Sequence, residues 1–236
     1  MSCSSAAVGY SSGMAGLIYS AAFGRNLNPA ISAEEVKQLL TMTADDVNVP
    51  ESQPTHPMFD RSKYPSLAGW DQRFGYGRTN SRRAMEWLRD GKIPPEVDVT
   101  SPRWFTVLNP DRPAQQTLRI EGRIAAARAP RFDYTVEYAT GVEPADAAWV
   151  MVRRETNVTA AVTDRLADID LRTININNPG EVENRYTLTV RIRVTAHYDA
   201  PIGDVPGEVR RAFYVHRDPT VLPGFPLDFK SGNKRS

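Results

Sequence analysis

The chain has 236 residues, 41% of them apolar and 24% charged, with a formal net charge of +1. That is the usual make-up of a folded globular chain with one large or two ordinary domains. A charge so near zero gives no electrostatic basis for binding nucleic acid or an anionic membrane surface. No apolar run reaches the ~20 residues needed to span a bilayer. The single cysteine, Cys3, rules out an internal disulfide and a cysteine-based metal site.

Residues 2–21 run from small polar residues straight into an apolar, small-residue segment. Apolar or small residues on nearly every side of 13–22 predict a helix buried all round rather than an amphipathic surface helix. Ala15, Gly16, Ala21 and Ala22 permit close approach of neighbouring backbone, and Gly24 and Asn26 mark the end. A second helix opens at Ser32, where Ser32 and Glu35 have capping-box spacing and Val36, Leu39, Leu40 and Val47 form one stripe. Asp45 and Asp46 follow and read as a solvated exit. Residues 48–69 form a long Pro-rich loop. The glycines of Gly69-Trp70 and Phe74-Gly75-Tyr76-Gly77 then predict tight turns between aromatic anchors. Asn80 is placed to cap a third helix with Ala84, Trp87 and Leu88 on one face, and Gly91 ends it. Ile93-Pro94-Pro95 reads as a stiff linker.

Beyond residue 102 the apolar period changes to two. Leu118, Ile120 and Ile124 alternate with polar residues. Phe132, Tyr134, Val136 and Tyr138 do the same, as do Leu188, Val190, Ile192 and Val194. Further runs at 103–108, 147–153, 166–174 and 209–216 bring the count to seven short strands, which predicts an antiparallel sandwich. Asn178-Pro179-Gly180 and Pro201-Ile202-Gly203 are turns. Trp149 and Met151 alternate in a strand and are expected in the core.

Three segments, in order, resemble the C-terminal third of a subtilisin-like serine peptidase domain. The first is the serine-bearing segment that runs into Ala15-Gly16. The second, 31–47, is similar to the family's surface helix with its Thr-Ala ending. The third, 74–84, resembles the family's Gly-Tyr-Gly-x-Val-Asn-Ala turn and closing helix. The resemblance covers roughly the first 90 residues and implies a Ser-His-Asp mechanism with chain order Asp, His, Ser. In that mechanism a base takes the serine proton, a carboxylate orients the base, and backbone N–H groups with an Asn hold the oxyanion. The resemblance places the Asp, the His and the oxyanion Asn before residue 1, so this chain alone is expected to be inactive. Matching the family's Gly-Thr-Ser-x-Ala-x-Pro from the front makes Ser5 the nucleophile, with Gly9 where proline is usual. Ser4 takes the role if the frame shifts by one. Counting back from Ala15-Gly16 instead reaches Val8, which cannot attack.

The expected fold is therefore α+β. Residues 1–92 are a helical C-terminal remnant of a subtilisin-like α/β domain, and 93–102 are a Pro-rich linker. Residues 103–218 are an all-β antiparallel sandwich of fibronectin III or immunoglobulin type, and 219–236 a connecting tail. An apolar face is expected to stand open on the helical part, where the family's sheet would cover it.

Other residues carry weaker signals. His56, His197 and His216 have no partner at metal spacing. Asp168 and Asp170 share a strand face and read as solvent-facing carboxylates. Asn157-Val158-Thr159 is a glycosylation sequon by pattern only. No cofactor and no metal is called for. The N-terminus is not a secretory signal peptide, so the signal of a secreted parent would lie upstream. The functional expectation is a part of a secreted or cell-surface, multidomain serine endopeptidase. Its partners are a peptide or protein substrate and the upstream peptidase segment. The alternative is a non-catalytic surface or adhesion protein with a degenerate peptidase-like segment and a binding or spacer sandwich.

Overall fold

The structure is a computed structural model and describes residues 4–48, 66–103, 106–175 and 186–216. Cys3, His56, most of the Pro-rich loop, the Asn178-Pro179-Gly180 turn and the 219–236 tail lie outside the described residues. The fold is mixed α+β, with three helices and two sheets of three and five strands among the described residues. The chain divides into two compact units. The first comprises Met1–Glu96, Ala125–Phe132 and Thr195–Gly207; the second comprises Val97–Ile124, Asp133–Val194 and Glu208–Ser236.

The first unit holds helices α1 (Ser4–Gly24), α2 (Ala33–Met42) and α3 (Ser81–Arg89). The α2 capping box forms as its spacing predicts. Glu35 N–H donates to Ser32 Oγ at 3.1 Å, and Ser32 N–H donates to Glu35 Oε2 at 2.9 Å. Asn80 caps α3, its Oδ1 accepting from Arg83 N–H at 2.9 Å. Ile18, Ala22, Val36, Leu39, Ala84, Leu88 and Ile93 form one buried cluster where the three helices meet. The expected end of α1 is seen at Asn26, which takes φ of 52°. Val47 falls beyond α2, so the α2 stripe is shorter than its sequence pattern.

The described residues between α2 and α3 are organised by carboxylates. Asp45 is not a solvated exit. Its main chain bridges Arg78 in both directions at 2.7 and 2.8 Å. Its side chain accepts from Asn80 Nδ2 at 3.0 and 3.1 Å and pairs with Arg83 at 2.9 Å. The Asn80 amide, ahead of the Arg83 charge, holds the Asp45 carboxyl below the usual carboxylate range. Asp46 accepts from Gly69 N–H at 2.9 Å. Buried Asp71 accepts from Arg73 and Phe74 N–H at 2.8 and 2.6 Å, closing a turn to Gly75. Gly77 is required at its position: φ is 108°, and a Cβ there would fall on the Asp45 carbonyl oxygen.

The second unit is built mainly of strands. Strands β1 (Glu96–Ser101), β3 (Thr117–Ala125) and β6 (Val162–Asp170) form the smaller sheet in the order β1-β3-β6. Strands β2 (Val107–Leu108), β4 (Arg131–Thr140), β5 (Val150–Val158), β7 (Thr187–His197) and β8 (Asp204–Val215) form the larger, in the order β2-β8-β7-β4-β5. The two-residue period is realised as burial in β3 (Leu118, Ile120, Ile124) and in the first half of β4 (Phe132, Tyr134, Val136), after which Glu137 rather than Tyr138 is buried. In β7 the expected Leu188, Val190, Ile192 and Val194 are buried, but so are Thr187, Thr189 and Arg191 between them. β3 pairs antiparallel with β6 from Thr117↔Asp170 to Ile124↔Val162, with a register shift between Ile120 and Glu121.

Several expectations are refined or corrected. In the stretch expected as a stiff Pro-rich linker, 93–102, Ile93, Pro94 and Pro95 are buried, and β1 begins at Glu96. Rigid apolar prolines suit packing as well as spacing, and Val97 and Val99, both buried, give only two alternations to read. The sheets are not wholly antiparallel, because β2 runs parallel to β8 through Val107↔Tyr214 and Leu108↔Val215. These strands lie at opposite ends of the β-region's sequence, so no hairpin dictates their direction. Met151 is 51% exposed on an edge strand. Trp149 precedes β5 and is only half-buried, its ring lying 3.9 Å from the Arg191 guanidinium carbon.

Gly77→Ala combines a left-handed backbone with a steric clash and is expected to destabilise the chain by about 3 kcal/mol. Thermal unfolding measures this. An unchanged midpoint contradicts the packing described for the Asp45 turn.

Candidate functional site

Ser4 and Ser5 lie in the first turn of α1 and are exposed. The early N–H groups of a helix have no intrahelical acceptor, and the helix dipole places positive potential there. Among the described residues neither serine hydrogen-bonds to a histidine or a carboxylate. His197 instead pairs with Asp204, Nδ1 to Oδ1 at 2.7 Å, and His216 meets Tyr186 edge-on with ring centroids 4.5 Å apart. Val8 is 64% exposed on the same helix. No group of three metal-ligating side chains occurs among the described residues, and no helix among them is long and apolar enough to cross a membrane.

The body of α1 is the unusual feature. Only Met14, Ile18 and Ala22 are buried. At 3.6 residues per turn these lie on one side, and Gly9, Gly13, Gly16 and Ser20 fall within about 60° of each other on the opposite side. A Cβ built on Gly9, Gly13, Gly16 or Gly24 meets nothing within 4 Å. Tyr10 and Leu17 flank this track on one side; Val8, Tyr19 and Phe23 flank it on the other. All are exposed, Phe23 at 84%. The result is a shallow groove of bare backbone between two apolar ridges, along a helix whose other side is already packed. A helix with apolar residues all round is suited to burial on every side. The sequence expectation that 13–22 is buried all round holds on one side only.

Two clefts within the helical unit border this face. One, of 430 Å³, lies between α1 and α2 and reaches Tyr76 and Gly77. The other, of 600 Å³, lies at the C-terminal end of α1 around Phe23, Leu27 and Ile31.

The β-region's charged residues are mostly paired. Glu137 is buried and accepts from Arg191 Nε at 2.8 Å and Arg193 Nη2 at 2.8 Å. Asp168 pairs with Arg165 and Arg119. Asp170 accepts from the Arg172 side chain and N–H, which holds its carboxyl down at about 2. These pairings account for Asp168 and Asp170 without a cation. Sequence reading missed Asp45 and Asp71 as organisers of the turn before α3. The one available signal was an acidic residue at a helix C-terminus, where it disfavours the dipole and so needs another partner.

No family model matches the chain, and no match is found among curated proteins. If the α1 face is as open as described, Leu17→Asp and Phe23→Asp each leave the melting temperature nearly unchanged and reduce binding of a hydrophobic dye and any self-association. Dye fluorescence and sedimentation measure this. A large loss of stability from either change means that those side chains are packed.

Proposed function

We propose that the helical unit is the closing part of a subtilisin-like serine endopeptidase domain, followed by a two-sheet sandwich of fibronectin III or immunoglobulin type. The observation that carries this reading is the glycine track of α1. In the family, the helix that leads away from the nucleophile is covered by a parallel sheet, and close cover is what a row of glycines between apolar ridges permits. The order of the three resembling segments supports the same reading. So does the position of Ser5 in the first turn of that helix, where N–H groups are free of intrahelical acceptors.

In this reading Ser5 attacks the scissile carbonyl. A histidine supplied by the upstream part of the domain takes its proton, an upstream aspartate orients that histidine, and an upstream asparagine with backbone N–H groups holds the oxyanion. The substrate is a peptide or protein, and the parent protein acts outside the cell or at its surface. In this reading the chain of 236 residues is expected to be inactive by itself, and among its described residues no histidine or carboxylate hydrogen-bonds to Ser5. A second reading is favoured by the frame that places Val8 opposite the nucleophile and by Gly9 in place of proline. It makes the same segment a degenerate peptidase remnant in a non-catalytic surface protein.

A fluorophosphonate probe separates the two. The full-length gene product is expected to be labelled on the peptide containing Ser4 and Ser5, with labelling lost in Ser5→Ala. Ser4→Ala is expected to keep the label. Absence of label on the wild-type product, or label that survives both substitutions, supports the non-catalytic reading.

A further inference from the structure

We propose that two turns, at 125–132 and 195–207, act as a clamp that holds the helical unit together. This inference does not rest on the peptidase reading.

The turn between β3 and β4 and the turn between β7 and β8 belong to the same compact unit as the helices. The first turn delivers Arg128. Its Nε donates to Glu35 Oε1 at 2.9 Å, and its Nη2 donates to Glu35 Oε2 at 3.1 Å and to the Pro29 carbonyl at 2.8 Å. The two side chains are only 10% and 6% exposed. Glu35 is also the capping-box residue of α2, so one carboxylate closes the helix start and receives the arginine fork. A forked ion pair of this burial fixes geometry. Removing one partner leaves the other charged and desolvated.

The second turn lies along residues 91–95. Tyr198 Oη donates to the Ile93 carbonyl at 2.6 Å. A Cβ on Gly91 would stand 3.2 Å from Ile202 Cδ1, and one on Gly207 would stand 3.0 Å from Pro95 Cγ. Burial, with the Glu35 charge second, pushes the Tyr198 hydroxyl up to about 12, so it remains a donor throughout the neutral range. The two turns thus grip the helical segment at the start of α2 and just after α3. The buried helical cluster includes residues next to both grips, Val36 and Ile93. These turns are at one end of the β-strands.

Hydrogen exchange with mass spectrometry on the whole chain tests the clamp. Arg128→Ala is expected to lower protection of α2 and α3 amides by roughly 100-fold or more, and to leave β3 and β7 amides of the second unit within about threefold of wild type. Helical protection that is unchanged overturns the proposal. Equal loss across helices and strands also overturns it, because Arg128 then serves the whole chain. If Arg128→Ala does not yield folded protein, Arg128→Lys and Tyr198→Phe decide. The lysine keeps the charge without the fork, and the phenylalanine removes one hydrogen bond. Each is expected to give the same helix-selective pattern at smaller amplitude, and an effect confined to the strands, or none in either variant, counts against the clamp.

Discussion

The helical unit depends on one buried carboxylate. Glu35 begins α2 as its capping-box residue and is also where the Arg128 fork is received. Without Arg128 it would be a buried, uncompensated charge; without Glu35, the helix start and the arginine would both lose their partner. The remaining order of the unit follows from there. α2 fixed at its start presents Val36 and Leu39 to Ile18 and Ala22 of α1 and to Ala84 and Leu88 of α3. At its far end the chain is held by Asp45, whose main chain and side chain both reach the segment that caps α3. Two acidic side chains therefore hold the start of α2 and the approach to α3, and the shared apolar cluster joins both to α1.

That economy sets off α1. It has ten or so residues more than the other helices need, and it uses one side of them. Its opposite side has no charge and little relief, and it carries large apolar side chains in water. Free energy favours covering such a surface at about 25 cal/mol per Å², so a face of this kind is informative where a single exposed leucine is not. The glycines sharpen the point. Each lowers helix stability by about 1 kcal/mol relative to alanine and returns nothing in this chain, where a Cβ would meet open space.

Much of the fold could be read from the residues, and the reason is local. Capping at Ser32, Glu35 and Asn80 is decided within four residues, and the two-residue burial of β3 and of the first half of β4 is decided by the strand's own pleat; in β7 Thr187, Thr189 and Arg191 are buried as well, which its alternation does not foretell. What could not be read was decided at a distance. Arg128 is one of many arginines in an alternating stretch, and its partner lies 93 residues away. β1 hid behind two prolines. Trp149 was assigned to the core on alternation alone, whereas Arg191 and Arg210 approach its ring from other strands at 3.9 and 5.4 Å. At the candidate site, composition predicts a helix over 13–22 buried all round; the helix in fact begins at Ser4, takes in Ser5, and is buried on one side only. The identity of a base and its orienting acid did not follow from it, because no pattern in these residues supplies them.

The proposed reading makes one physical claim: the open glycine track of α1 is a surface suited to close cover by further polypeptide. Hydrogen exchange at α1 amides, compared between the chain of 236 residues and the longer full-length product that this reading requires, tests it most directly. The account predicts strong protection along Gly9 to Ser20 in the full-length product and fast exchange in the isolated chain. Equal exchange in the two contradicts it.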